Sequence, residues 1–173
     1  MQFHGDIRPF NVLITSSREY KVIDSKLFDR ATLPTYFSQI SGLNEGGYLF
    51  SPAIFAHLGT LNTNGYEKLE DNVYKSDVFS IAMTVLECAS LERAAQFYNW
   101  ETYQIDFTAL ESKLQGLKEI YSSSLIDTLR LMLKADEDER PDFVQIDSEL
   151  SAYKEDIKAR VLHKPGKVIF TFL

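Results

Sequence analysis

Three side chains near the start of the sequence could act together on a phosphate ester. Asp6 and Asn11 fall within His4-Gly5-Asp6-Ile7-Arg8-Pro9-Phe10-Asn11, and Asp24 follows a short distance on. Asp6 is a carboxylate that can accept a hydroxyl proton. Asn11 and Asp24 bring the oxygen donors that hold magnesium against the phosphates of ATP. A second reading is open for Asp6 and Asn11: residues of these types also close turns by bonding their own backbone.

To work together these groups need a scaffold that returns the chain on itself. Val12-Leu13-Ile14-Thr15 and Tyr20-Lys21-Val22-Ile23 are β-prone runs on either side of the polar turn Ser16-Ser17-Arg18-Glu19. A hairpin here delivers Asp24 beside Asn11. Residues 25–50, with Gly42, Gly46 and Gly47, show no periodicity and read as a long loop. The hydroxyls Thr32, Thr35, Ser38 and Ser41 within it are candidate phosphorylation sites. Asp77 to Leu91 is apolar around nearly its whole circumference, which predicts a helix in the middle of a domain, with Ser76-Asp77 as its N-terminal cap. Further helices are expected near 92–99, 107–119, 122–134 and 142–161. Arg140-Pro141 interrupts the helical pattern after an acidic turn. The apolar, β-prone tail Lys167 to Leu173 is expected to dock on its own domain or on a partner.

A chain of 173 residues fits one domain with a real core. The net charge of −7 argues against nucleic acid or an anionic membrane as the main partner. No apolar run is long enough to span a bilayer, and the first residues do not form a signal peptide. An intracellular, cytoplasmic protein is expected. Cys88, the single cysteine, rules out an internal disulfide and reads as a buried thiol. His4, His57 and His163 show no metal-ligand spacing with acids or with Cys88.

The residues around Asp6 fit the pattern His-x-Asp-x-Lys-Pro-x-Asn of the protein kinases, with Arg8 at the Lys position. Tyr48-Leu49-Phe50-Ser51-Pro52-Ala53 resembles the Tyr-x-x-Pro-Glu segment that closes a kinase activation loop. Lys75-Ser76-Asp77-Val78-Phe79-Ser80-Ile81-Ala82 resembles the start of the kinase's central helix, and Asp136 to Phe143 resembles Asp-x-x-x-Arg-Pro-x-Phe. In this order the four segments resemble the C-lobe of a eukaryotic protein kinase of Ser/Thr type, over roughly residues 2–160. The resemblance implies a mainly α (α+β) fold: a small β-hairpin at the catalytic loop and a helical bundle around a buried central helix. It implies a partial kinase-like domain over 1–162 and an apolar tail over 163–173. It also implies roles: Asp6 as catalytic base, Arg8 near the γ-phosphate, Asn11 and Asp24 as magnesium ligands, Leu13 and Asp24 against the nucleotide, and Asp77 as a structural acid bonding the backbone near His4.

The departures bear on activity. Gly5 stands where an Arg usually pairs with a phosphorylated loop residue, so activation by that route is not expected. Asp24-Ser25-Lys26 replaces Asp-Phe-Gly, and Lys26 either mimics part of a metal's charge or points into solvent. Ala53 removes the usual partner of Arg140, so Glu137 or Glu139 substitutes or Arg140 is exposed. No Gly-rich loop, ATP-anchoring Lys strand or Glu-bearing helix precedes His4. The resemblance therefore implies a non-catalytic, pseudokinase-like interaction subunit of a larger complex. ATP and magnesium are not expected to bind this chain alone, and a protein partner is expected to cover an exposed C-lobe groove and the tail. The alternative is the C-terminal part of an active Ser/Thr kinase.

Overall fold

The structure, a computed structural model, describes residues 3–25, 47–64 and 72–151, with the side chains of 61–64 excepted. In chain order these residues form a 3₁₀ turn (Pro9–Asn11), strands β1 (Val12–Ile14) and β2 (Tyr20–Val22), and helices α1 (Pro52–Asn64) and α2 (Val73–Ser90). A second 3₁₀ turn (Ala94–Phe97), strands β3 (Tyr98–Asn99) and β4 (Gln104–Ile105), and helices α3 (Phe107–Leu117) and α4 (Ser123–Met132) follow. A last helical run occupies 143–151. The described chain is thus mainly helical with two small antiparallel sheets, compatible with the expected mainly α class. The interior of the expected loop, including the candidate phosphorylation sites, the end of the helix over 142–161 and the apolar tail lie outside the described residues.

Helix α2 is the axis of the core. Val78, Phe79, Ala82, Met83 and Leu86 are fully buried, and their cluster takes in Phe55 of α1, Leu110 and Leu114 of α3, and Ile126 and Leu129 of α4. An apolar surface on all sides is what a helix needs when neighbours surround it. Its start lies earlier than expected. Asn72, not Ser76-Asp77, is the cap: its side chain accepts from Tyr74 N at 3.2 Å and Lys75 N at 3.3 Å. That places Ser76 and Asp77 one turn inside the helix, where both side chains bond to other segments. Asp106 caps α3 through Ala109 N at 2.9 Å, and Ser122 caps α4 through Leu125 N at 3.3 Å.

Two parts of the expected layout are corrected. Residues 92–99 are not a helix but one 3₁₀ turn running into β3, which pairs with β4 in the register Tyr98↔Ile105. Tyr98 is drawn out of helical geometry because its ring packs edge-on to Phe55, centroids 5.0 Å apart, while its hydroxyl donates to Phe50 O at 2.8 Å. Helix α1 was not anticipated. Its apolar residues are spread without a clear stripe and Gly59 interrupts them, although Pro52 at its first position is a start signal. Gly59 has a packing reason: a Cβ there would stand 2.8 Å from the Tyr103 ring. Trp100 and Tyr103 complete the aromatic group around Phe55, at 4.9 and 5.6 Å.

Phe55→Ala is expected to lower the unfolding free energy by about 3–5 kcal/mol, as for large core aromatics. Gly59→Leu is expected to cost about 1–3 kcal/mol through the clash with Tyr103. Denaturant unfolding of the two variants checks both values.

Candidate functional site

The site is fastened from below by Asp77. One carboxylate oxygen accepts from His4 N at 2.6 Å and the other from Gly5 N at 3.0 Å. Two successive N–H groups can converge on one carboxylate only if the backbone turns sharply, and Gly5 does this with φ +81°. A side chain is strained in that region, so glycine here has a conformational cause. Burial outweighs the two N–H bonds and the nearby His4, and lifts the Asp77 carboxyl from its ordinary 3.8 to about 6. The His4 ring crosses to the hairpin. Its Nδ1 accepts from Asp6 N at 3.3 Å, which leaves Nε2 to carry the proton and donate to Ile23 O at 3.0 Å.

The hairpin has the expected register, with Val12 opposite Val22 and Ile14 opposite Tyr20. Ile23 N extends it by donating to Asn11 O at 2.9 Å. Ile23 is thereby bonded to both His4 and Asn11, and Asp24, the next residue, emerges at that junction. Asp24 is exposed and adopts φ +56°, a conformation that Asp tolerates better than most side chains. Asn11 is buried, and its amide donates to Asp6 O at 2.7 Å, closing the turn from within. The local-bonding reading of Asn11 is therefore true of its nitrogen. Its oxygen and the Asp24 carboxylate are each oxygen donors of the type magnesium takes. Among the described residues no group of three or more His, Cys, Asp or Glu converges. Leu13 lies on β1 with its side chain exposed.

Asp6 is buried, and its carboxylate meets Arg8 Nε at 3.0 Å. The N–H is not aimed along that line, so the contact is an ion pair rather than an aligned hydrogen bond. The guanidinium lies over the Tyr48 ring, 4.3 Å from its centroid. Tyr48 was not anticipated as part of the site, because the sequence places it far from Arg8 and only the path of segment 47–51 joins them. That segment is tied to α2 by hydroxyls: Ser51 to Ser76 at 2.9 Å, and Ser80 donating to Leu49 O at 2.6 Å.

Arg140 is neither exposed nor held in the way proposed from the sequence. It is 2% exposed and lies 5.1 Å over the Phe79 ring. It donates to Lys134 O at 2.8 and 3.0 Å, to Lys75 O at 3.0 Å and to Ala135 O at 3.1 Å. Glu139 pairs instead with Lys134 at 3.1 Å, and the Glu137 carboxylate accepts from Asn72 N at 2.8 Å. Cys88 is exposed rather than buried: it falls on the outer side of α2, opposite the packed positions. Partial burial and then Glu87 raise its thiol above the ordinary value, so it is not activated. No helix among the described residues is long and apolar enough to cross a membrane.

No protein-family model matches the chain. The chain is similar to serine/threonine-protein kinase Nek4 of Mus musculus, with 29% identity over 140 residues. The alignment takes in 80% of this chain, which spans 15% of the length of that relative. This supports a kinase-like relationship.

The Asp77 carboxyl has a folded pKa above its unfolded value, so it adds stability that is full below pH 3.8 and is lost as pH rises through about 6. The contribution is about 3 kcal/mol. Asp77→Asn is expected to flatten the stability profile between pH 4 and 6, measured by urea unfolding across pH. An unchanged slope would exclude this role. Gly5→Ala is expected to cost about 1 kcal/mol or more, because alanine must adopt the same positive φ.

Proposed function

We propose that this chain is a kinase-like module that acts by binding a protein partner, as a non-catalytic subunit of a larger complex. The observation that carries this reading is the stack of Asp6, Arg8 and Tyr48. Phosphoryl transfer of the kinase kind needs a carboxylate for the substrate hydroxyl and a cation for the γ-phosphate. Here each is engaged with the other, and the Tyr48 ring braces the cation. Ser25, where the family pattern has an aromatic residue, and Ala53, where it has an acid, point the same way. The exposed apolar residues Ile14, Tyr20 and Val22 on the hairpin are in keeping with a protein partner.

A second reading, the C-terminal part of an active Ser/Thr kinase, draws on Asn11 and Asp24. In its support, Ile23 N donates to Asn11 O beside Asp24, and amide and carboxylate oxygens are donor types taken by magnesium, which when bound would neutralise phosphate charge.

One set of measurements can overturn the non-catalytic reading. The purified chain is titrated with magnesium and ATP and assayed for labelled phosphate transfer to a generic Ser/Thr substrate. No saturable ATP binding and no transfer are expected. Transfer that falls by about a hundredfold or more in Asp6→Asn, the scale of losing a catalytic acid–base group, would overturn the non-catalytic reading.

A further inference from the structure

In front of the Asp6–Arg8 pair lies a second arginine that the reading above does not use. Arg93 is exposed just before the 3₁₀ turn Ala94–Phe97, and its guanidinium carbon lies 5.5 Å from the centroid of the Phe10 ring. Its Nη1 comes within 3.6 Å of the place a Cβ would take on Gly47, the residue before Tyr48. Arg8 and Arg93 therefore lie against consecutive residues of one segment. Phe10, adjacent to Asn11, is 67% exposed, so a large ring stands in solvent with a cation across it.

The charges around Arg93 among the described residues leave its own unmatched. Among the described residues it forms no ion pair, whereas Arg8 is taken up by Asp6. The two acids nearest in sequence are engaged elsewhere. Glu92 meets Lys113 with both oxygens at 2.8 Å, and Glu87 accepts from Ala94 N at 2.8 Å. Stacking on Phe10 covers a face of the guanidinium and keeps its edge available for a planar, two-pronged acceptor.

We infer that Arg93, braced on Phe10 and Gly47, anchors an acidic side chain of a peptide that crosses this face, with Phe10 receiving an apolar neighbour of that acid. A carboxylate matches the fork, and the exposed ring favours a ligand with apolar groups beside its charge. Nucleic acid does not fit, because a phosphate backbone needs a row of cations, whereas one arginine here meets a single carboxylate on a chain of net charge −7. The inference concerns recognition and holds under either reading of phosphoryl transfer.

The test uses the full 173-residue chain and fluorescence anisotropy with three pools of short labelled peptides, otherwise neutral, that carry one acidic residue, one Lys or one Gln beside a leucine. The acidic pool is expected to bind about tenfold more tightly than the lysine pool, and less so as salt rises. Arg93→Glu is expected to abolish or invert that preference, and Arg93→Lys to keep part of it. Phe10→Ala is expected to weaken binding several-fold without changing the order of the pools. Arg93 is on the surface, and circular dichroism checks that each variant is folded. Equal affinity for the three pools, or a preference that survives Arg93→Glu in folded protein, overturns the inference.

Discussion

Everything at the front of this molecule hangs on a carboxylate inside its central helix. Asp77 grips two successive backbone N–H groups, His4 and Gly5, and so fixes the start of the loop that carries Asp6, Arg8 and Asn11. The two oxygens of one carboxylate satisfy both donors, and a helix packed on all sides holds that group in place. The charge is costly to bury, which is visible in the raised carboxyl pKa. The cost is borne by a core in which Phe79, Ala82 and Met83 are wholly excluded from water. From Asp77 the order passes through the His4 ring to Ile23, and from Ile23 to Asn11 and Asp24.

Much of this could be read from residue types. The alternating runs on either side of Ser16-Ser17-Arg18-Glu19 define the hairpin because strand periodicity and turn chemistry agree there. The central helix is legible because nothing but burial explains apolar residues on every side, and the bond from Asp77 to the backbone near His4 follows from the kinase resemblance. Helix α1 was not legible, because its burial depends on the aromatic group of Tyr98, Trp100 and Tyr103, which no local pattern announces. The same group pulls residues 98–99 into a strand against their helical spacing. The true cap at Asn72 was hidden by a stronger-looking pair, Ser76-Asp77, whose side chains have tertiary partners. Such partners, and the meeting of Arg8 with Tyr48, arise from the path of the chain rather than from its periodicity.

Arg140 is held in part by carbonyl dipoles. Carbonyls of Lys134, Ala135 and Lys75 point at the guanidinium from two separate segments, and Phe79 closes its face. The arginine therefore joins the turn after α4 to the first turn of α2 and fills the space between them. A lysine would keep the charge but could not meet acceptors placed for a planar fork.

The segment 47–51 and the loop at His4 are fastened to the same helix by different chemistry. One fastening is a carboxylate whose charge changes within the mildly acidic range. The other, Ser51 on Ser76 and Ser80 on Leu49 O, is made of neutral hydroxyls that neither titrate nor respond to ionic strength. Mild acid therefore neutralises the carboxylate of one attachment, with a net gain in stability because its burial no longer strands a charge, and leaves the other as it was. The Asp6–Arg8–Tyr48 stack spans both attachments, so its geometry is a gauge of whether they move together.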